Sequence, residues 1–153
     1  MAKVKITDRD LGWESIKQEI EKLRKMSVKV GIVEGYNISE DGANIAEYAA
    51  YNEEGTENIP SRPFIRSWVD NNQEQINRFM TSAFNSVVSG KSTAKDAVKR
   101  IGEFAQSGIK KNIVKGGFEP NAESTIRKKG SSKPLIDTGT MRDSIRYRVL
   151  KKK

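Results

Sequence analysis

Apolar residues recur at helical spacing near the start of the chain, and a strand pattern follows. The first stripe steps by three or four positions, which predicts a helix that Asp10 caps and that ends near Met26. Its members are Trp13, Ile16, Ile20 and Leu23. Residues 28–33 then alternate β-branched residues with others, which predicts a strand with one buried face. Residues 3–7 alternate in the same way and predict a short edge strand.

A short helix and a long helix are predicted around the stretch IPSRPFIRSW, which holds two of the four prolines. Asn44 and Glu47 have the form of a capping box, and Gly55 suits the end of the short helix. Pro63 fits the first turn of the long helix, where its missing N–H has no cost, and Pro60 keeps the approach extended. The long helix carries one broad apolar stripe. That stripe comprises Phe64, Trp68, Ile76, Phe79, Met80, Ala83, Phe84, Val87 and Val88.

A second long helix and a second strand complete the predicted elements. Thr93 and Asp96 form another possible capping box, and a glycine pair ends the helix that they open. Its inward-facing residues are Ala94, Ala97, Val98, Ile101, Phe104, Ala105, Ile109 and Ile113. Residues 118–133 are rich in turn formers and basic side chains, with at most a short helix at 122–129. Residues 145–150 alternate again and predict a strand.

Two separated strands among several helices indicate an α+β fold. We expect a small, mostly antiparallel sheet packed against the two long helices, with the C-terminal strand pairing with residues 28–33. A chain of 153 residues fits a single domain over 1–153. Within it we expect flexible, mobile segments at about 34–43 and 116–135, and a frayed lysine tail at the C-terminus.

Charge is divided unevenly along the chain. Residues 1–60 hold eight Lys and Arg against twelve Asp and Glu, whereas residues 61–118 and residues 119–153 each hold ten against four. One interpretation is a basic face toward nucleic acid. Another is a pair of complementary faces on identical subunits, as a head-to-tail ring requires. The third is a solvated charged surface without a partner.

The residue types that catalysts use most are missing. The chain has no cysteine and no histidine, which excludes disulfides, histidine-bearing zinc sites and the usual catalytic triads. It also lacks a phosphate-cradling glycine loop. We therefore expect no enzymatic activity, no catalytic residues, no cofactor and no metal. No run approaches the roughly 20 apolar residues of a membrane span, and the N-terminus lacks the apolar core of a signal peptide, so we expect a soluble protein made inside the cell.

Two motifs resemble one known family. The segment IAEYAAYNEEGTENIPSRPFIRSW is similar to the signature of the tail-completion proteins of long-tailed phages, the minor tail, neck and virion-morphogenesis family that includes lambda Z-like and Mu morphogenesis-like proteins. The matching positions are Glu53, Gly55, Ile59, Pro60, Arg62, Pro63, Phe64, Ile65 and Arg66. A second segment, PLIDTGTMRDSI, resembles the element near the C-terminus of that family and contains Asp137, Thr138 and Gly139. Two positions depart from the pattern: Glu54 stands where the family usually has an aromatic residue, and Asn52 where histidine is common.

The resemblance spans roughly residues 28–149 and implies a non-enzymatic virion assembly protein of a phage or prophage. Such a protein completes the tail or neck and helps to join tail to head, acting as a ring around the DNA path that is six-fold in the resembling family. The implied partners are copies of the chain itself and tail-tube, tail-terminator or head-connector proteins, with non-specific contact with DNA and no membrane. The implied location is the virion, with assembly in the host cytoplasm.

Two further expectations concern partners. We expect the isolated chain to be a monomer or weak oligomer, because loops that order on contact oppose association in dilute solution. The alternative function is non-specific nucleic-acid binding, which the RKKG and KKK clusters suggest.

The residue types in the motifs suggest structural roles. Asp137, Thr138 and Gly139 offer an acceptor, a hydroxyl and a flexible residue at a tight bend, and Thr140 with Asp143 can cap one helical turn before the last strand.

The two arginines of the first motif lie at the start of the long helix, where a cation opposes the helix dipole. A carboxylate beside Arg62 and Arg66 would remove this penalty, and Glu53 or Asp137 is the candidate. The alternative is that both arginines point into water.

Overall fold

The computed structural model describes residues 12–32 and 44–152. The edge strand predicted at 3–7, the cap at Asp10 and the loop predicted at 34–43 lie outside the described residues. Within the described ranges the chain forms seven helices and two strands, so the predicted α+β fold is confirmed. Their order is α1 (Trp13–Arg24), β1 (Met26–Ile32), α2 (Ile45–Glu54), α3 (Arg66–Asn71), α4 (Gln73–Val88), α5 (Ala94–Lys115), α6 (Glu123–Lys129), α7 (Thr140–Asp143) and β2 (Ile145–Lys151).

The two strands form an antiparallel pair, as the sequence predicts. Met26 lies opposite Lys151 at one end of the register, and Ile32 lies opposite Ile145 at the other. The sheet packs against α5, and α1 and α4 pack against α5 as well. Helix α5 is therefore the element around which the described chain is organised.

Helices α2 and α5 begin at caps that the sequence predicts. The Asn44 side chain accepts hydrogen bonds from the backbone N–H groups of Ala46 and Glu47 at 3.1 and 3.3 Å. The Thr93 hydroxyl oxygen accepts one from the backbone N–H of Asp96 at 3.1 Å. These side chains satisfy N–H groups that have no partner inside the helix, which stabilises both helix starts.

A carboxylate from α1 adds a second cap to α5. Glu19 accepts a hydrogen bond from the backbone N–H of Ala94 at 2.7 Å, across 75 positions of sequence. The hydrogen bond from Lys22 and then that from Ala94 lower the pKa of Glu19 below its usual value of 4.5. The ionised carboxylate therefore ties α1 to the first turn of α5.

The predicted single helix after the proline pair is interrupted at Asn72. Helix α3 ends at Asn71 and α4 begins at Gln73. The Asn72 side-chain amide donates a hydrogen bond to the Trp68 carbonyl at 2.8 Å. An Asn side chain that bonds the local backbone in this way offers it an alternative to the helical ladder, which accounts for the break.

The apolar stripe predicted on α4 is only partly buried. Ala83 and Val87 are buried against Ala97 of α5, but Met80, Phe84 and Val88 are 48%, 47% and 39% exposed. The prediction of burial was wrong for these three residues. They lie four positions apart on one helix edge, which is the edge that the packing against α1 and α5 leaves uncovered.

Two glycines inside α5 allow its neighbours to approach closely. A Cβ atom added at Gly102 would lie 2.5 Å from the Tyr147 ring, and one added at Gly108 would lie 2.3 Å from carbons of the Trp68 indole. Glycine costs roughly 1 kcal/mol relative to alanine in a helix interior. The close contact of the sheet on one side, and of Trp68 on the other, explains why both positions lack a side chain.

We expect Gly108→Ala to destabilise the protein by about 1–3 kcal/mol although alanine is the better helix former, because a new methyl group overlaps a rigid indole. Urea unfolding of both proteins measures the change. Ser107→Ala, at the exposed neighbouring position, is the control and should leave stability unchanged or slightly higher. A stabilised Gly108→Ala variant would show that Trp68 does not lie against the helix backbone.

Candidate functional site

The two motif segments meet in one apolar core cluster. Phe64 of the first motif is fully buried, in the same cluster as Leu135, Met141 and Ile145 of the second. Trp68, Ile109 and Ile113 belong to it too, so the cluster connects both motifs to α3 and α5. Segments about 70 positions apart in sequence thus form one unit.

Glu53 holds the start of α3. One carboxylate oxygen accepts a hydrogen bond from the backbone N–H of Ile65 at 2.9 Å, and the other accepts one from the backbone N–H of Arg66 at 2.8 Å. A carboxylate at a helix N-terminus satisfies unpaired donors and interacts favourably with the helix dipole. Glu53, one of the two carboxylates predicted as an arginine partner, forms no ion pair with a described arginine and caps the helix backbone instead.

Arg62 is buried, with 5% of its surface exposed. Its guanidinium donates to the carbonyls of Glu119 and Pro120 at 2.6 and 2.8 Å, and to the side-chain oxygen of Asn52 at 3.2 Å. Asn52 is itself buried, and its amide nitrogen donates to the Tyr48 carbonyl at 2.9 Å. Arg62 therefore joins α2 to the segment after α5, and the expectation of a carboxylate partner or of open water was wrong.

Arg66 lies on the surface, in contrast to Arg62. Its guanidinium donates to the Glu53 carbonyl at 3.3 Å and lies 3.8 Å from the carboxylate of Glu54. An exposed ion pair of this kind contributes little to stability. Glu54, which departs from the pattern of the resembling family, thus supplies the carboxylate predicted beside Arg66, in place of Glu53 or Asp137.

The segment between α2 and α3 folds back on the end of α2. Gly55 has a φ of 81°, and a Cβ atom there would lie 3.0 Å from the backbone nitrogen of Ser61. The Ser61 hydroxyl donates to the Glu53 carbonyl at 2.9 Å. Pro60 is exposed on this turn. Only glycine fits both the backbone conformation and the close approach.

Pro63 precedes the helix and does not start it. Its carbonyl accepts a hydrogen bond from the backbone N–H of Ser67 at 2.9 Å, which closes a single turn ahead of the helix. Helix α3 itself begins at Arg66. The predicted start was therefore three residues early, and Pro63 lies before the helix and not in its first turn.

The second motif forms the predicted corner by different contacts. Gly139 has a φ of 87° at the N-cap of α7, and the Thr138 hydroxyl oxygen accepts a hydrogen bond from the backbone N–H of Thr140 at 3.3 Å. The single helical turn is confirmed, but the cap predicted from Thr140 and Asp143 is not formed. Asp143 instead accepts two hydrogen bonds from Arg142, at 2.9 and 3.0 Å, which lower its pKa. Asp137 is exposed.

The segment after α5 contains the short helix that the sequence predicts, α6. Before α6, the segment is held by the hydrogen bonds from Arg62 to the carbonyls of Glu119 and Pro120. After α6, it leads to Leu135, which is 3% exposed and has a φ of 62°. The expected mobility of residues 116–135 stays a prediction.

A basic face, which we define as Lys110, Arg142 and Arg146, lies where α5, α7 and β2 come together. Partial burial lowers the pKa of Lys110 most, and the positive charges of Arg146 and Arg142 lower it further, against the opposing effect of Asp143. The three cations surround a single carboxylate, that of Asp143, which bonds Arg142, so the patch has an excess of positive charge. The sequence showed the charge excess of this part of the chain but did not bring these three residues together.

An aromatic groove runs between the α3–α4 pair and α5, with a volume of about 810 Å³. Trp68, Phe79, Phe104, Arg100, Lys111 and Lys115 are among its lining residues. The rings of Phe79 and Phe104 stack at 4.4 Å, and the Arg100 guanidinium lies 5.9 Å from the centre of the Phe79 ring. The sequence predicted Trp68, Phe79 and Phe104 as core residues, and it gave no sign that they line one groove together with cations.

No group of three or more acidic side chains within 12–32 and 44–152 is placed to hold a metal ion. None of the helices described there has the length and apolar character needed to cross a membrane.

Comparison of the chain with protein-family models, with curated proteins and with solved structures gives no match.

Proposed function

We propose that this chain is a non-enzymatic virion assembly protein of a phage or prophage, which completes the tail or neck and helps to join tail to head as a ring around the DNA path. The observation that carries the proposal is the convergence of the two motifs on one core cluster. The resemblance to tail-completion proteins rests on those same motifs, and residues that share a core explain why they occur together in one chain.

The contacts of the motif residues support a structural role for the motifs. Glu53 and Arg62 direct their charged groups at backbone N–H groups and carbonyls of the same chain. Side chains committed in this way are not available to a substrate or a partner. Among the described residues, the surfaces that remain for assembly include the basic face, the aromatic groove and the exposed side of α2.

Deletion of the encoding gene from the phage or prophage tests this proposal. We expect filled heads and tails of normal protein content that fail to join or to deliver DNA, visible by electron microscopy as separate particles. Expression of the intact chain in trans should restore infectious particles, which controls for effects on neighbouring genes. Unaltered infectivity of the deletion would contradict the proposal.

Non-specific nucleic-acid binding is the second candidate function, and the basic face is the observation that favours it. Replacing Lys110, Arg142 and Arg146 by glutamine should weaken binding to duplex DNA of any sequence and reduce its salt dependence, by a slope of about 0.9 for each phosphate that the variant no longer neutralises. A gel-shift titration at several salt concentrations measures both. The matched control replaces three exposed lysines by glutamine at and just before the other end of α5, namely Lys91, Lys95 and Lys99. Equal weakening in both variants would show that only total charge matters.

A further inference from the structure

The aromatic groove is rich in cations that form no ion pair with an acidic residue in the described part of the chain. No described carboxylate forms an ion pair with Arg100, Lys111 or Lys115. The one acidic lining residue, Glu103, lies 3.8 Å from the Lys99 ammonium and accepts a long hydrogen bond from the Tyr147 hydroxyl. The groove therefore combines aromatic rings with an uncompensated positive charge, a pairing that attracts carboxylates and the rings of tyrosine.

Helix α2 carries the opposite combination on its exposed side. We define its acidic face as Glu47, Tyr48, Tyr51 and Glu54. Positions 47, 51 and 54 step by four and three and so form one stripe, with position 48 beside it. The tyrosines are 44% and 43% exposed, and α2 contains three glutamates and no lysine or arginine. The Tyr51 hydroxyl donates a hydrogen bond to the Glu47 carboxylate, which fixes the ring along the helix surface.

The acidic face and the groove are separate patches of one chain. None of the groove lining residues comes from α2, and α2 packs against α7 and β1. The groove volume of about 810 Å³ lies within the range of roughly 300–1,000 Å³ typical of ligand-sized clefts. The two exposed tyrosines suit its rings, and the carboxylates of Glu47 and Glu54 are opposite in sign to its cations, with Glu54 also 3.8 Å from the exposed Arg66 guanidinium.

We propose that the aromatic groove receives the acidic face of α2 from a second copy of this chain. Because two different patches meet, the contact is head to tail, and its repetition gives a ring or an open filament. The choice of a second copy over nucleic acid rests on this complementary surface within the chain, and the inference deepens the proposed function by naming the faces through which copies associate. The contact depends on charge, so salt weakens it.

Charge reversal in both faces tests the proposal. One variant carries Lys111→Glu and Lys115→Glu, and the other carries Glu47→Lys and Glu54→Lys. We expect each variant alone to need at least about tenfold higher concentration for self-association than the unchanged chain, by sedimentation at low salt. An equimolar mixture of the two should associate again, because each unlike junction is once more complementary. The control, Lys95→Glu with Lys128→Glu, makes the same change of charge at exposed positions outside the groove and should associate normally.

Thermal melting of each variant checks that it is folded, and the single changes Lys115→Glu and Glu54→Lys replace any double variant that is not. Association that survives both reversals, or no association of the unchanged chain at any concentration, overturns the proposal. So does loss of duplex DNA binding by the groove variant with self-association unchanged, since the groove would then be a nucleic-acid surface. If the association behaves as expected and the gene deletion leaves infectivity intact, only the proposed function fails. If the gene deletion abolishes infectivity but the charge reversals leave association unchanged, only this inference fails.

Discussion

Replacement of Phe64 by alanine should lower the free energy of unfolding by about 3–5 kcal/mol, the cost of removing a large side chain from a packed core. Phe64 has no exposed surface, and it lies in the cluster where the two motifs meet. Its loss would leave a cavity in the cluster that it shares with Leu135, Met141 and Ile145, and only part of that cavity can close. Urea denaturation followed by fluorescence or circular dichroism measures the difference.

The chain offers two controls for this variant. Phe84→Ala removes the same side chain from a position that is 47% exposed, and should change stability by no more than about 0.5 kcal/mol. Pro63→Ala should cost far less than Phe64→Ala, because Pro63 leads into α3 and Phe64 fills the core. Equal, small effects of Pro63→Ala and Phe64→Ala would mean that the motif is an exposed contact surface.

Arg62→Met should destabilise the protein by about 2–3 kcal/mol, because hydrogen bonds to a buried charged group are removed and their acceptors stay buried. Methionine keeps much of the length and apolar character of the side chain, so the change removes the guanidinium more than the packing. The carbonyls of Glu119 and Pro120 and the side-chain oxygen of Asn52 are then left without this donor. Thermal and urea unfolding give the size of the effect.

Arg66→Met is the matched control, with the same substitution four positions later at an exposed site. We expect a change below about 0.5 kcal/mol there, since an exposed ion pair at 3.8 Å contributes little. Equally small effects at both positions would show that Arg62 does not hold the segment after α5. Amide hydrogen exchange should also rise in residues 117–121 of Arg62→Met and stay unchanged in Arg66→Met.

Local patterns in the sequence predicted most of the elements, because the physics that sets them acts over a few residues. Asn44 and Thr93 cap helices through side chains that reach N–H groups two or three positions away. The pairing of β1 with β2 could also be predicted, since two strand patterns in an otherwise helical chain have few other partners. The end of α5 at a glycine pair is the same kind of short-range signal.

What could not be predicted depends on contacts between distant parts of the chain. Arg62 is buried because two carbonyls 57 and 58 positions away accept from it, and nothing in the local sequence indicates them. From the local sequence, Gly108 only weakens its helix, and the reason for a glycine there becomes clear only from the close contact with the Trp68 indole. The groove escaped prediction for the same reason, since Phe79 and Phe104 come from different helices and stack only after α4 packs on α5.

The pairing of β1 with β2 has a consequence for how the chain is made. Met26 lies opposite Lys151, so the sheet joins the first described strand to the last one. While the chain is being synthesised, β1 leaves the ribosome long before its partner and presents an unpaired strand edge to other nascent chains. The core is also incomplete until late in synthesis, because Ile145, which has no exposed surface in the finished fold, is near the end of the described chain. Loop closure over such a separation is slow. Until β2 emerges, the nascent chain therefore exposes a strand edge and apolar surface that the finished fold covers.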